Sequence, residues 1–243
     1  MLTGKIAVVT GASTGIGRAV ACALASEGAK VALLARSRAR LEETRAMIAK
    51  GGGDSRIFLC DLREPKAILE TATAITAQFG AVYVLVNCAG VWHNEEKVYA
   101  GVPLQDTPVD EILEVMQVGV IAPLLLTRAL LPGMIKNRAG KILQISGTFE
   151  SGASGWLHYF VSKKAIEHFS EGLAQELRQH EIQVNTICPS DTLTEAYKRF
   201  FPNSLPEECV KPEDIAKVAV FFASNAGEHI TGACIVVRSK TAR

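Results

Sequence analysis

Tyr159 and Lys163 stand four residues apart in Tyr159-Phe-Val-Ser-Lys163. In a helix that spacing places both side chains on one face. A free tyrosine ionises near pH 10, too high for efficient proton exchange at neutral pH. An ammonium group beside it stabilises the phenolate and lowers that value. Such a pair can pass a proton to or from a reacting oxygen. Taken alone, it also fits the exposed face of an ordinary amphipathic helix.

A second group is the glycine-rich run Gly11-Ala-Ser13-Thr14-Gly15-Ile16-Gly17, which follows the apolar run Ile6–Thr10 and leads into a helical pattern with Ala19, Val20, Ala23 and Leu24. Glycine at 11 permits a tight turn. Glycine at 15 lets a pyrophosphate approach backbone, and glycine at 17 allows close packing of helix on strand. The free N–H groups and dipole of the helix then favour phosphate. A glycine-rich turn by itself is weak, but its strand and helix context points to a dinucleotide. At the end of the next apolar run, an acid would hydrogen-bond the ribose 2′-hydroxyl of NAD. The chain instead reads Ala35-Arg36-Ser37-Arg38. Arg36 suits a 2′-phosphate and can stack on adenine, so NADP(H) is expected over NAD(H). The alternative is that Arg36 and Arg38 are solvated residues opening a helix.

The elements that must hold these groups alternate. Ile6–Thr10, Val31–Ala35, Ile57–Cys60, Val82–Val86, Ile142–Ile145, Val184–Cys188 and Ile235–Val237 each read as a strand buried on both faces. Helical patterns separate them; in Ala165–Arg178, Ile166, Phe169, Leu173 and Leu177 mark one buried face. This alternation implies an α/β fold, a doubly wound parallel sheet of Rossmann type in a single domain over residues 1–243. The irregular stretch from Thr192 to Lys211 is expected to form a lid over the site.

The chain of 243 residues is 48% hydrophobic and 21% charged, enough for a sizeable core, and its net charge of +1 with interspersed signs gives no basic field for nucleic acid. Gly4 and Lys5 interrupt the first apolar residues, so no signal peptide is read there. The longest apolar stretch, Val115 to Leu126, contains Gln117, Gly119 and Pro123 and falls short of the roughly 20 residues that span a bilayer. A cytoplasmic protein without membrane partners is expected. Cys22, Cys60, Cys88, Cys188, Cys209 and Cys234 are scattered, with no CxxC pair and no His/Cys cluster at metal spacing. They read as reduced thiols, and no metal is expected.

With Thr10–Gly17, Asp61-Leu62, Asn87-Cys-Ala89-Gly90 and Tyr159–Lys163 in that order, the sequence resembles the short-chain dehydrogenase/reductase family from Lys5 to about Val237. Each motif is common alone; four in register are specific. The resemblance implies hydride transfer between a nicotinamide cofactor and a carbonyl or carbinol carbon, with Tyr159 exchanging the proton. It implies that Lys163 also grips the ribose, Asp61 and Leu62 meet the adenine, and Asn87, Ala89 and Gly90 support the nicotinamide side. Gly11, Ser13, Thr14, Gly15, Ile16 and Gly17 would line the phosphates, with Arg36 and Ser37 near the 2′-position. Pro189, Thr192 and Thr194 would close the nicotinamide end.

The chain departs from the family in places. The serine that meets the substrate oxygen is assigned to Ser146, 13 residues before Tyr159, the usual separation. Strand register instead puts Gly147 in that place, leaving Thr148 as a substitute hydroxyl. Gly119 stands where the family has an asparagine that holds a relay water; Gln117 is two positions away and faces elsewhere on a regular helix. Pro189-Ser190 replaces Pro-Gly, and the last strand ends Val237-Arg238-Ser239 without paired glycines. Two other readings therefore stay open: a degenerate member that binds NADP(H) without turnover, and an epimerase or dehydratase on the same scaffold.

Trp92, His93, Phe149, Trp156, His158, Phe200 and Phe201 are the residues expected near the substrate, and an aromatic wall suits a hydrophobic or ring-bearing small molecule. His158 is expected to point away from the reacting oxygen. The family resemblance also implies a homo-oligomer, dimer or tetramer, through Asp110–Leu131 and Ser162–Gln179, with Val118, Val120, Leu124 and Leu125 offering apolar surface, some of it used in packing on the sheet.

Overall fold

Short runs rich in Val, Ile and Leu build a parallel sheet only when helices cover both its faces, because successive side chains point opposite ways. In a computed structural model describing residues 1–149 and 152–240, the runs become β1 (Ile6–Thr10), β2 (Lys30–Ala35), β3 (Asp54–Leu59), β4 (Val84–Asn87), β5 (Gly140–Ile145), β6 (Ile182–Pro189) and β7 (Cys234–Val237). All pair in parallel, in the order β3-β2-β1-β4-β5-β6-β7. The chain thus has the doubly wound Rossmann-type sheet that the alternation implied.

Alternation sorts the core into two layers. Ala7, Val9, Val31, Leu33, Val84 and Val86 face one side, where α1 (Gly15–Ser26), α2 (Arg38–Lys50) and α8 (Pro212–Ala223) contribute Leu24, Leu41 and Phe222. Val8, Ala32, Leu34, Leu85 and Ile142 face the other side. There α3 (Pro65–Phe79), α5 (Ala122–Asn137) and α6 (Leu157–Leu177) contribute Ile75, Leu130 and Leu173. The outer strands depart from the expectation of burial on both faces. β3 alternates exposed and covered residues, and Cys234, Ile235 and Val236 of β7 are exposed, because an edge strand has a neighbour on one side only.

α4 (Val109–Met116) runs through a π-helical turn at Gln117–Ile121 straight into α5. The helix expected over Asp110–Leu131 therefore runs on through Gln117, Gly119 and Pro123. Pro123 falls in the first turn of α5, where a missing N–H costs little. The resulting helix, Val109–Asn137, is by length and composition apolar enough to cross a membrane. In this fold Val115, Val118, Ala122, Leu126, Leu130 and Met134 of that helix are buried, while Val109, Leu113 and Ile121 are exposed. Val118 is thus one of the apolar residues that packing inside the fold uses.

Candidate active site

The order reverses between β1 and β4, and in such sheets ligands bind beyond the carboxyl ends of the strands at that point. A cleft of about 1030 Å³ opens there, lined by Gly11, Ser13 to Gly17, Arg36, Asp61, Leu62, Ala89, Gly90, Tyr159, Lys163, Pro189, Thr192 and Thr194. Residues from seven separate stretches of sequence converge on it.

The glycine turn is built for close approach. A Cβ on Gly17 would lie 2.2 Å from the Gly11 carbonyl oxygen, and one on Gly11 (φ 66°) 3.1 Å from Ala89 Cα. Only glycine fits at 17. Thr14 caps α1 with extended backbone but without a side-chain hydrogen bond, so the helix offers its first N–H groups to the cleft. The Gly15 N–H donates to the carboxylate of Glu195 at 3.1 Å, and Arg18 Nη1 donates to the same carboxylate at 3.1 Å. A side-chain anion thus sits where the backbone invites phosphate. Glu195 opens α7 (Glu195–Phe200), the short helix of the expected lid.

Beyond the end of β2, Arg36, Ser37 and Arg40 border the cleft. Ser37 is the N-cap of α2, its hydroxyl accepting the Arg40 N–H at 3.4 Å. Arg38 does not line the cleft. Leu62 is buried, and Asp61 accepts from Arg63 at 2.5 and 3.0 Å. That guanidinium holds the Asp61 carboxyl below the ordinary carboxylate range.

The turn after β4 is fixed by Thr10, whose hydroxyl accepts the N–H groups of Cys88 and Ala89, each at 3.0 Å. Asn87 is buried and donates to Thr127 Oγ1 at 3.3 Å. Gly90 has no side chain because Lys163 occupies the space: a Cβ there would lie 3.2 Å from its ammonium. Lys163 Nζ donates to the Ile145 carbonyl at 2.9 Å and lies 5.3 Å from the centroid of the Tyr159 ring. The structure therefore brings the sequence pair together at the mouth of the cleft, on the first turns of α6.

Ser146 lines the cleft, but its hydroxyl is engaged with other groups. Its hydroxyl donates to Glu167 Oε1 at 2.6 Å and to the Lys163 carbonyl at 3.2 Å. Thr148, pinned through its N–H to the Pro189 carbonyl at 3.0 Å, lines the cleft beside Gly147. Gly119 lies within the π turn, against α6: a Cβ there would lie 3.2 Å from Ser162 Cβ and Oγ. Gln117, in the same π turn, donates to the Leu62 carbonyl at 3.3 Å. Beyond β6, Thr192 donates to the Ser190 carbonyl and Thr194 caps α7 by accepting the Tyr197 N–H.

Aromatic rings wall the remaining side. Trp92, His93, Phe149, Trp156 and Phe201 line the cleft, and Phe200 packs 5.9 Å from Trp92 and 5.0 Å from His93. His158 is buried outside the lining, and burial lowers its pKa.

The family described as short chain dehydrogenase matches residues 5–204. The chain belongs to the short-chain dehydrogenase/reductase family. It is 30% identical to D-threitol dehydrogenase of Mycolicibacterium smegmatis, over 97% of this chain and 92% of that protein. A metagenomic short-chain oxidoreductase solved in complex with NADP superposes with a TM-score of 0.84 at 34% identity, over 98% of each chain. An NAD+-bound xylitol dehydrogenase superposes with a TM-score of 0.88 at 26% identity, over 98% of this chain and 99% of that one.

The sequence named Thr10 only as the start of its glycine motif and did not single out Arg18, Arg40, Arg63 or Glu195. Thr10 and Arg18 flank the glycine motif and Arg40 sits four residues past Arg36, so proximity to motifs was an available signal. Nothing near Glu195 in sequence announces its contact with Gly15, 180 residues away.

Proposed function

We propose that this member of the oxidoreductase family is an NADP(H)-dependent enzyme that interconverts a ketone or aldehyde with the corresponding alcohol, using Tyr159 as general acid and base. The observation that carries the reading is the seat of Lys163, between the Ile145 carbonyl, Gly90 and the Tyr159 ring at the cleft mouth. There Lys163 stands beside the ring whose hydroxyl would trade a proton with a substrate oxygen.

The cradle at Gly11–Gly17 and the open α1 N-terminus fit a dinucleotide pyrophosphate. Arg36 and Arg40, with the N-terminus of α2 between them, suit a 2′-phosphate and support NADP(H) over NAD(H). When bound, the cofactor supplies or accepts the hydride. Asp61 and Leu62 would take the adenine; Asn87, Ala89, Gly90 and Lys163 the nicotinamide ribose; Pro189, Thr192 and Thr194 the far end. For the hydroxyl that steadies the substrate oxygen, the geometry favours Thr148 over Ser146, because Glu167 already holds Ser146.

The substrate is a small hydrophobic or ring-bearing carbonyl compound or alcohol, held against Trp92, Phe149, Trp156 and Phe201. The segment 192–211 acts as its lid, within a single domain. In this reading the protein is cytoplasmic, as its six free thiols support. It self-associates through the exposed apolar residues Val109, Leu113, Ile121, Leu157 and Val161.

The test is oxidation of NADPH against aliphatic, cyclic and aromatic ketones, with NADH in parallel. Turnover with an NADPH preference is expected. Stoichiometric NADPH binding with no turnover across the panel would overturn the enzymatic reading in favour of a ligand-binding family member.

A further inference from the structure

Cys188 and Cys234 are 46 residues apart in sequence, yet β6 and β7 bring their sulfur atoms within 3.0 Å. Cys234 pairs with Thr186 and Cys188 with Val236, so the two cysteines share one face of the sheet as diagonal neighbours. Opposite them, α6 presents Glu167, whose Oε1 lies 3.6 Å from Cys188 Sγ. One carboxylate oxygen and the two sulfurs all fall within 4.8 Å of one another. Ser146 donates to Glu167 Oε1 at 2.6 Å and fixes its orientation, while Lys164 Nζ reaches Oε2 at 2.8 Å.

We propose that Cys188, Cys234 and Glu167 form a binding site for a thiophilic divalent cation of the zinc class, completed by water. Zinc takes thiolate sulfur at about 2.3 Å and carboxylate oxygen at about 2.0–2.2 Å in a tetrahedron. In that geometry a sulfur and an oxygen ligand stand about 3.5 Å apart, close to the 3.6 Å between Cys188 and Glu167. The two sulfurs need to separate by less than about 1 Å, within the reach of side-chain rotation. Two thiolates select such an ion over magnesium or calcium. Each thiol gives its proton to solvent as the metal–sulfur bond forms. Lys164, 43% exposed, can swing into water as the cation replaces it on Glu167. Cys234 is exposed on the edge strand and provides the access route.

The position of the ion gives it a role. Glu167 lies one turn beyond Lys163 on α6, and β6 runs on from Cys188 into Pro189 at the cleft. The ion ties the helix of Tyr159 and Lys163 to the sheet edge.

The site is tested by titrating reduced, chelator-treated full-length protein with cobalt(II), then displacing it with zinc. The expected result is one equivalent bound, with a thiolate-to-cobalt charge-transfer band and tetrahedral visible absorption that zinc abolishes. Glu167→Gln and Cys234→Ser should each weaken binding at least tenfold to a hundredfold. Cys234→Ser changes an exposed edge position, so it stays informative if Cys188→Ser fails to fold. Absence of the charge-transfer band in folded wild-type protein overturns the proposal. So does unchanged affinity in Cys234→Ser.

Discussion

The Gly15 N–H is hydrogen-bonded to the Glu195 carboxylate across 3.1 Å, so the first residue of α7 occupies the anion position at the head of α1. A phosphate arriving there must displace it. Removing the charge with Glu195→Gln should tighten NADPH binding about two- to fivefold, the range expected for a surface carboxylate at a helix N-terminus. A fluorescence titration checks this. Weaker binding in the variant would mean that Glu195 supports the cofactor rather than competing with it.

Tyr159→Phe keeps the ring and its contacts with Phe149 and Trp156, 5.9 Å away on either side. Only the exchangeable proton is lost. We expect kcat to fall by about 10²- to 10⁴-fold while NADPH affinity is unchanged. Near-normal turnover would refute Tyr159 as the acid.

Ser146 and Thr148 are separated by one glycine but differ in what their hydroxyls touch. With Ser146 held by Glu167, Thr148→Ala should cost about a hundredfold in kcat, as expected for a lost donor to the reacting oxygen. Ser146→Ala should cost only a few-fold. The reverse order, measured in steady-state kinetics, would restore Ser146 to that role.

Arg36→Ala should weaken NADPH about ten- to a hundredfold, the loss of a charge-assisted contact to phosphate, and leave NADH nearly unaffected. Arg40→Ala should act in the same direction and less strongly. Equal losses for the two cofactors would remove the 2′-phosphate assignment.

His158 is buried, and burial lowers its pKa because the charged ring is poorly solvated. As pH falls below the ordinary histidine value of about 6.5, the unfolded chain takes up this proton before the folded one does. Stability is therefore full above that pH and is lost as pH falls toward the folded value. Urea unfolding at pH 7.5 and 5 should show a smaller acid loss for His158→Gln than for wild type. Equal losses would mean that His158 does not contribute to the acid sensitivity.

Much of this protein was legible in its residues. Strand runs and the glycine turn are local patterns, since alternation and φ preference depend on neighbours in sequence. They located β1, the α1 N-terminus, and the pairing of Tyr159 with Lys163 within a few residues. Side-chain direction at the strand ends is not local. Ser146 and Thr148 both line the cleft, and whether the Ser146 hydroxyl is already engaged depends on where α6 presents Glu167. Where Gln117 points depends on a π turn whose Gly119 packs against Ser162. The expectation of no metal rested on cysteine spacing, and spacing says nothing about thiols that the β6–β7 pairing brings together from 46 residues apart. Sequence alone determined the fold class and the chemistry-bearing motifs, because these repeat with the periods of strand and helix. The tertiary structure alone decided which anion meets Gly15, which hydroxyl is free and which thiols meet, because those contacts join distant segments.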